Sequence, residues 1–260
     1  MTKPSPLAID GVTLETAWWG RDLPGPTLVL LHEGLGCVAL WRDLPERLHH
    51  ATGRPVFAYS RQGYGQSDPV PLPRPLTYMH DEAARLPALL DAAGIGPALL
   101  VGHSDGASIA AIAAGSNYDA RIRGLILVAP HFFTEAMGLA AIAAARDAYE
   151  TLRPRLAKYH RDPDNAFRGW NDAWLDPGFR AWRIDEYLPY IRLPILLIQG
   201  QADPYGTQAQ LQIVQDLAYG PVETLLLPAV KHAPHLEAQP ATLDAIAAFT
   251  QRLALHEHAL

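Results

Sequence analysis

Between residues 101 and 108 the chain reads VGHSDGAS, which sets Ser104 between Gly102 and Gly106 with an acid, Asp105, directly after it. A serine attacks a carbonyl carbon only when four conditions hold: its oxygen stands proud of the fold, a base lies within hydrogen-bond reach, a third group orients that base, and donors face the forming oxyanion. G-x-S-x-G meets the first condition when a strand precedes it and a helix follows, because the glycines permit a tight, strained turn with the serine at its tip. Here ALLV precedes the motif, and the run GASIAAIAAG that begins at its second glycine reads as the helix.

An acid and a base follow in chain order. Asp203 comes directly after the apolar run ILLIQG, where a carboxylate would stand at the carboxyl edge of a sheet; its plainer reading is a turn residue in Ala-Asp-Pro-Tyr. Two histidines compete for the base in VKHAPHLEAQP. His232 lies on the loop before the last helical pattern and is the choice; His235, nearer that helix, is expected to pack or cap. His49, His50, His160 and the tail pair His256 and His258 read as surface residues.

These residues need a frame. TLVLLHE (27–33), RPVFAYS (54–60), PALLVGHS (97–104), RGLILVAP (123–130), LPILLIQG (193–200) and VETLLLP (222–228) are short runs, mostly without polar alternation, which suits strands covered on both faces in a parallel sheet. Helical patterns at 41–51, 78–93, 105–114, 207–218 and 240–255 alternate with them, giving an α/β fold. Asp10-Gly11 inside LAIDGVTLETAWWG is a hairpin signal, so the sheet should begin antiparallel. The interval 131–192 carries helical and loop patterns but no strand, and holds Trp170, Trp174 and Trp182. It is several times the length of an ordinary connection. It therefore reads as a helical cap inserted in a core made of 1–130 and 193–260. Trp170 and Trp174 are candidates to line a substrate pocket, against the alternative that they only pack the cap.

With these residues in hand, the chain resembles the α/β-hydrolase superfamily over almost its whole length. LLHEGLG looks like the oxyanion loop after the third strand, YSRQGYGQSD like the stretch after the fourth, IQGQADPYG like the acid loop, and VKHAPHLEAQP like the histidine loop. The resemblance implies an α/β-hydrolase fold, with a mostly parallel central sheet flanked by helices. It also implies an oxyanion hole built from the backbone N–H of Asp105 and a second N–H from Glu33, Gly34 or Leu35. Gly34 is favoured because it lies two positions past His32. The sequence departs from the family at Glu33, which takes the place of a glycine.

The Asp105 side chain has two readings. In the first, the carboxylate interacts with first-turn N–H groups of the helix, where an acid is favoured by about 0.3–1 kcal/mol. Alternatively, Asp105 and Glu33 form an anionic wall that binds a cationic or multiply hydroxylated substrate.

Composition narrows the function. The chain has 260 residues, 49% hydrophobic and 18% charged, with a formal net charge of −6, which disfavours nucleic acid and anionic membranes as partners. A small-molecule substrate is expected. The single cysteine, Cys37, cannot form an internal disulfide and should be a buried small residue. No apolar run reaches membrane-spanning length, so a cytoplasmic protein is expected. No Cys/His cluster, P-loop or dinucleotide fingerprint is present, so neither metal nor organic cofactor is expected.

The expectation is a serine hydrolase of a small ester, lactone or related carbonyl compound, with Ser104, Asp203 and His232 as triad, Gly34 and Asp105 as oxyanion donors, and Glu33, Leu35, Trp170 and Trp174 around the substrate. The same triad serves C–C hydrolases, perhydrolases and acyltransferases, and a receptor-like binding protein on this fold is the remaining alternative.

Overall fold

Asp10 and Gly11 both adopt positive φ, 51° and 79°, as a tight two-residue hairpin turn requires. They join β1 (Ser5–Ile9) to β2 (Val12–Trp19), which pair antiparallel. The computed structural model describes residues 4–116 and 119–257. The tail residue His258 lies outside the described residues, as does the side chain of His256.

Six further strands extend the sheet: β3 (Thr27–Leu31), β4 (Val56–Tyr59), β5 (Ala98–His103), β6 (Ile122–Val128), β7 (Ile195–Gly200) and β8 (Val222–Leu227). Each lies within one of the six apolar runs, apart from β6, which starts one residue before its run. The eight-stranded order is β1-β2-β4-β3-β5-β6-β7-β8, antiparallel at the β1/β2 and β2/β4 pairs and parallel elsewhere.

Continuous apolar sequence is explained by two buried faces. Val29 and Leu31 of β3, Leu125 and Leu127 of β6, and Ile195 and Leu197 of β7 enter one core cluster. Leu28 and Leu30, Ile126 and Val128, and Leu196 and Ile198 enter the other. Helices α2 (Tyr78–Ala93) and α3 (Asp105–Ser116) cover the first face, while α1 (Leu44–Thr52) and the long C-terminal helix at Gln239–Glu257 border the second.

The first helix departs from expectation. Instead of one helix from Trp41, a short 3-10 turn at Val38–Trp41 ends at Arg42 with φ 54°, and α1 starts at Leu44. Pro45 fixes that start, since a residue without an N–H fits only the first helical turn.

Between β6 and β7 lie α4 (Ala136–Asp147), α5 (Tyr149–Leu156) and α6 (Pro163–Leu175), followed by 3-10 turns at Pro177–Ala181 and Asp185–Tyr190. Within this interval only an isolated bridge, Phe133 to Arg183, is of strand type among the described residues. Helix α6 buries Phe167, Trp170 and Trp174. Because β3, β5, β6, β7 and β8 run parallel, the loops that leave them gather at one edge of the sheet, and α6 reaches that edge.

Candidate active site

Ser104 sits between β5 and α3 with φ 53°, in the left-handed region where a non-glycine residue costs about 1–3 kcal/mol and persists only when its surroundings impose it. Here the flanking glycines and Val128 do so. A Cβ on Gly102 would stand 2.4 Å from the Gly106 carbonyl oxygen, and one on Gly106 would stand 2.0 Å from the Leu31 carbonyl oxygen. The Ser104 N–H donates to the Val128 carbonyl at 2.9 Å, which ties the turn to β6. The turn projects Oγ towards His232, whose Nε2 lies 2.9 Å away. His232 Nδ1 is 2.8 Å from Asp203 Oδ2 and 3.0 Å from Oδ1, and Oδ1 also accepts the Tyr205 N–H at 2.8 Å.

Asp203 is buried. Burial alone would push its carboxyl up; the hydrogen bond and charge of His232, with the Tyr205 N–H, outweigh this and hold it below the ordinary carboxylate value. An ionised Asp203 requires the proton on His232 Nδ1, so Nε2 is free to accept from Ser104. His235 does not reach the serine. It is buried against His103 and Trp41, with ring centroids at 4.6 and 5.2 Å.

The loop after β3 is held from beneath. The Gly36 N–H donates to the Glu33 carbonyl at 3.1 Å, closing a turn whose central residues are Gly34 and Leu35. Central residues of such a turn keep their N–H groups out of the turn's own hydrogen bond. Among the described residues, neither the Gly34 nor the Leu35 N–H has a partner in the chain. The Asp105 N–H, in the first turn of α3, also lacks an intrahelical acceptor. Buried His32 locks this loop: Nδ1 donates to the Glu33 carbonyl at 2.7 Å and Nε2 accepts the Arg61 N–H at 2.9 Å. Burial, then the Arg61 charge, pushes the His32 ring well below the usual histidine range and keeps it neutral, as this arrangement demands.

A cavity of about 110 Å³ opens beside Ser104, lined by Glu33, Gly34, Leu35, Asp105, His131, Ile142, Trp170, Trp174, Tyr205 and His232. All the residues expected from the sequence at the serine and around the substrate line this space. Asp203 stands behind His232. The sequence reading missed His131, Ile142 and Tyr205. His131 and Tyr205 had a usable signal, since each follows a strand end at the same sheet edge as Ser104. Trp170 packs so closely over the loop after β3 that a Cβ on Gly34 would stand 2.2 Å from its Cδ1 and Nε1.

Both readings of the Asp105 carboxylate need correction. It is fully buried, accepts from Tyr78 Oη at 2.7 Å and Trp174 Nε1 at 3.3 Å, and faces Arg61 Nη2 at 3.8 Å. It neither caps first-turn N–H groups nor offers a free negative charge. The Glu33 carboxylate lines the cavity and faces His103 Nδ1 at 3.4 Å. His160 is likewise not a surface residue: it is buried, with Nδ1 accepting the Gly65 N–H at 2.9 Å and Nε2 donating to the Leu35 carbonyl at 3.0 Å. Cys37 is buried as expected. Among the described residues, no cluster of three or more acidic, histidine or cysteine side chains could hold a metal ion, and no helix is long and apolar enough to cross a membrane.

No curated protein sequence matches the chain. Among solved structures, proline iminopeptidase from Mycobacterium smegmatis superposes with a TM-score of 0.75 at 16% identity, covering 98% of this chain and 100% of that one. The enol-lactonase from Burkholderia xenovorans LB400 gives 0.75 at 19%, covering 95% and 100%. An N-acyl homoserine lactone degrading enzyme gives 0.71 at 23%, covering 94% and 100%. At these identities the likeness speaks for the fold alone. The profile of the alpha/beta hydrolase fold matches residues 26–161, more than half of the sequence and the stretch that contains β3, the elbow and the strands between them; the chain belongs to the alpha/beta hydrolase family.

Proposed function

We propose that this protein is a serine hydrolase that cleaves compact, uncharged esters or lactones through an acyl-enzyme. The observation that carries the reading is the unbroken hydrogen-bonded chain Asp203–His232–Ser104 at the mouth of the cavity. Ser104 Oγ attacks the carbonyl carbon as its proton passes to His232 Nε2, and the forming imidazolium is stabilised by Asp203. The N–H groups of Asp105 and of Gly34 receive the oxyanion, as preorganised donors outside any other hydrogen bond. His232 then returns the proton to the leaving oxygen, which frees the alcohol. In the second half a water gives a proton to Nε2, attacks the acyl carbon, and Ser104 recovers its proton as the bond to Oγ breaks.

Substrate class follows from the charge balance of the cavity wall. Arg61 compensates Asp105, and Glu33 is turned to His103. Burial, followed by the charge of His232, pushes His131 down to about 3, so it is neutral at physiological pH. A wall whose two acids face Arg61 and His103 instead of the open space favours an uncharged substrate. Leu35, Ile142, Trp170 and Trp174 provide its apolar surface. The segment 131–192 acts as a cap, since α6 contributes both tryptophans. A single buried cysteine fits work in the cytoplasm. Among similar folds, two are named as lactone-cleaving proteins, which supports including lactones.

The test is a panel of acetyl, butyryl and aminoacyl p-nitrophenyl esters and small lactones, with wild type and Ser104→Ala, alongside labelling by a fluorophosphonate. Stoichiometric label on Ser104 and loss of turnover in the alanine variant are expected. Activity within tenfold of wild type in Ser104→Ala would remove the serine mechanism.

A further inference from the structure

The residue before the nucleophile, His103, has a buried ring with two distinct neighbours. Its Nε2 lies 2.8 Å from the main-chain carbonyl of His232, and its Nδ1 lies 3.4 Å from Glu33 Oε2. A carbonyl only accepts, so Nε2 carries the proton and donates. The far side of the ring therefore faces the carboxylate of the oxyanion loop. His235 packs edge-on against the same ring at 4.6 Å and His232 lies at 5.1 Å, which leaves it little freedom to rotate. Glu33 is fixed as well. Its Oε2 occupies the space over Gly36, where a Cβ would approach to 2.3 Å. Burial would raise its carboxyl, yet the His103 ring beside it brings it well below the ordinary value, so it stays ionised; the 3.4 Å contact makes no hydrogen bond at Nδ1.

We propose that Glu33 and His103 form a strut that joins the oxyanion loop to the backbone of His232, making both of them positioning residues for the catalytic histidine. The inference rests on the serine-hydrolase reading. It gives the acid of this loop a role. The Ser104–His232 contact depends on a loop that is otherwise anchored on either side of His232, by the Ala202 N–H on the Val230 carbonyl at 2.9 Å and by Glu237 on the N–H groups of Lys231 and Ala233 at 2.9 and 3.1 Å, and at His232 Nδ1 by Asp203. Displacing a base by about an ångström can cost on the order of a hundredfold in rate. A donor on its main-chain carbonyl restrains that displacement.

The experiment measures the second-order rate of Ser104 phosphonylation by a fluorophosphonate, together with kcat and KM for p-nitrophenyl acetate and the melting temperature. The variants are His103→Phe, His103→Gln, Glu33→Gln and the double variant Glu33→Gln/His103→Phe. His103→Phe should slow phosphonylation and kcat by about tenfold with KM within about twofold, because position and not substrate contact is lost. His103→Gln keeps an N–H within reach of the His232 carbonyl and should recover at least half of that loss on a logarithmic scale. Glu33→Gln should slow the reaction by about threefold alone and by nothing further in the phenylalanine background, since residues acting through one path are non-additive.

Additive effects, failure of glutamine to rescue, or melting-temperature losses without a change in phosphonylation rate would each overturn the strut. The parent reading fails differently: wild type itself would then take no label at Ser104. Should His103→Phe not fold, His103→Ala takes its place as the variant without a donor, alone and combined with Glu33→Gln.

Discussion

Replacing Asp105 by alanine separates a structural carboxylate from a substrate-binding one. The side chain is fully buried and so is its partner Arg61, so solvent does not screen the pair. Arg61 Nη2 donates to the Glu33 carbonyl at 2.9 Å, but Nε and Nη1 have no hydrogen-bond partner. Removing the facing anion leaves a poorly compensated guanidinium in the core, a loss worth about 3–5 kcal/mol when one member of a buried pair is deleted. Tyr78 Oη and Trp174 Nε1 lose an acceptor too; they already bond each other at 3.0 Å, which keeps that second cost small. In a domain of this size a kilocalorie shifts the melting temperature by about 2–4 °C, so Asp105→Ala should melt about 6–20 °C below wild type.

Differential scanning calorimetry measures the shift, and Arg61→Met in the same background supplies the control. With the cation gone, at least half of the loss should return, because buried pairs replaced by apolar groups are often neutral. The ratio of kcat/KM for an aminoacyl ester to that for its uncharged isostere should stay unchanged. A melting temperature within about 2 °C of wild type, together with a collapse of that ratio, would refute the reasoning and restore the anionic wall.

His232→Ala should be as damaging to turnover as Ser104→Ala, whereas His235→Ala should leave kcat within about tenfold and lower stability instead; rates and melts of both variants check the ranking. Trp170→Ala should widen the accepted acyl groups while p-nitrophenyl acetate still reacts, read from the ester panel. For pH, His131 ordinarily titrates at 6.5 and is held down to about 3 in the fold, so the unfolded chain binds the extra proton between these values. The contribution of neutral His131 is therefore complete above pH 6.5 and declines as pH falls towards 3, at up to about 1.4 kcal/mol per pH unit. His131→Phe should flatten the pH dependence of the unfolding free energy in urea, and an unchanged slope would remove His131 from that account.

The strands, their burial on both faces and the candidates Ser104, Asp203 and His232 were legible because each leaves a local signature. The apolar runs mark strands covered on both faces, the glycines around Ser104 mark a close approach, and Asp203 and His232 directly follow strand ends. Side-chain partnerships leave no such trace. Asp105 meets Tyr78 and Trp174, 27 and 69 residues away, and nothing local announces Arg61 beneath it. The same holds for Glu33, whose departure from glycine was visible while its partner His103 was not. Distance along the chain, not subtlety of chemistry, set the limit. His160 was misjudged for that reason as well, since its burial comes from Gly65 and Leu35, far upstream.

The indole of Trp170 resting on Gly34 makes two apparently independent design choices into one. Enlarging position 34 is sterically closed while the tryptophan stays, and trimming the tryptophan opens the space over the loop after β3. Position 34 should therefore accept a side chain larger than glycine only where position 170 has been made small, so a library that varies position 34 alone would mostly sample disturbed loops, while one that couples the two sites would reach new pockets.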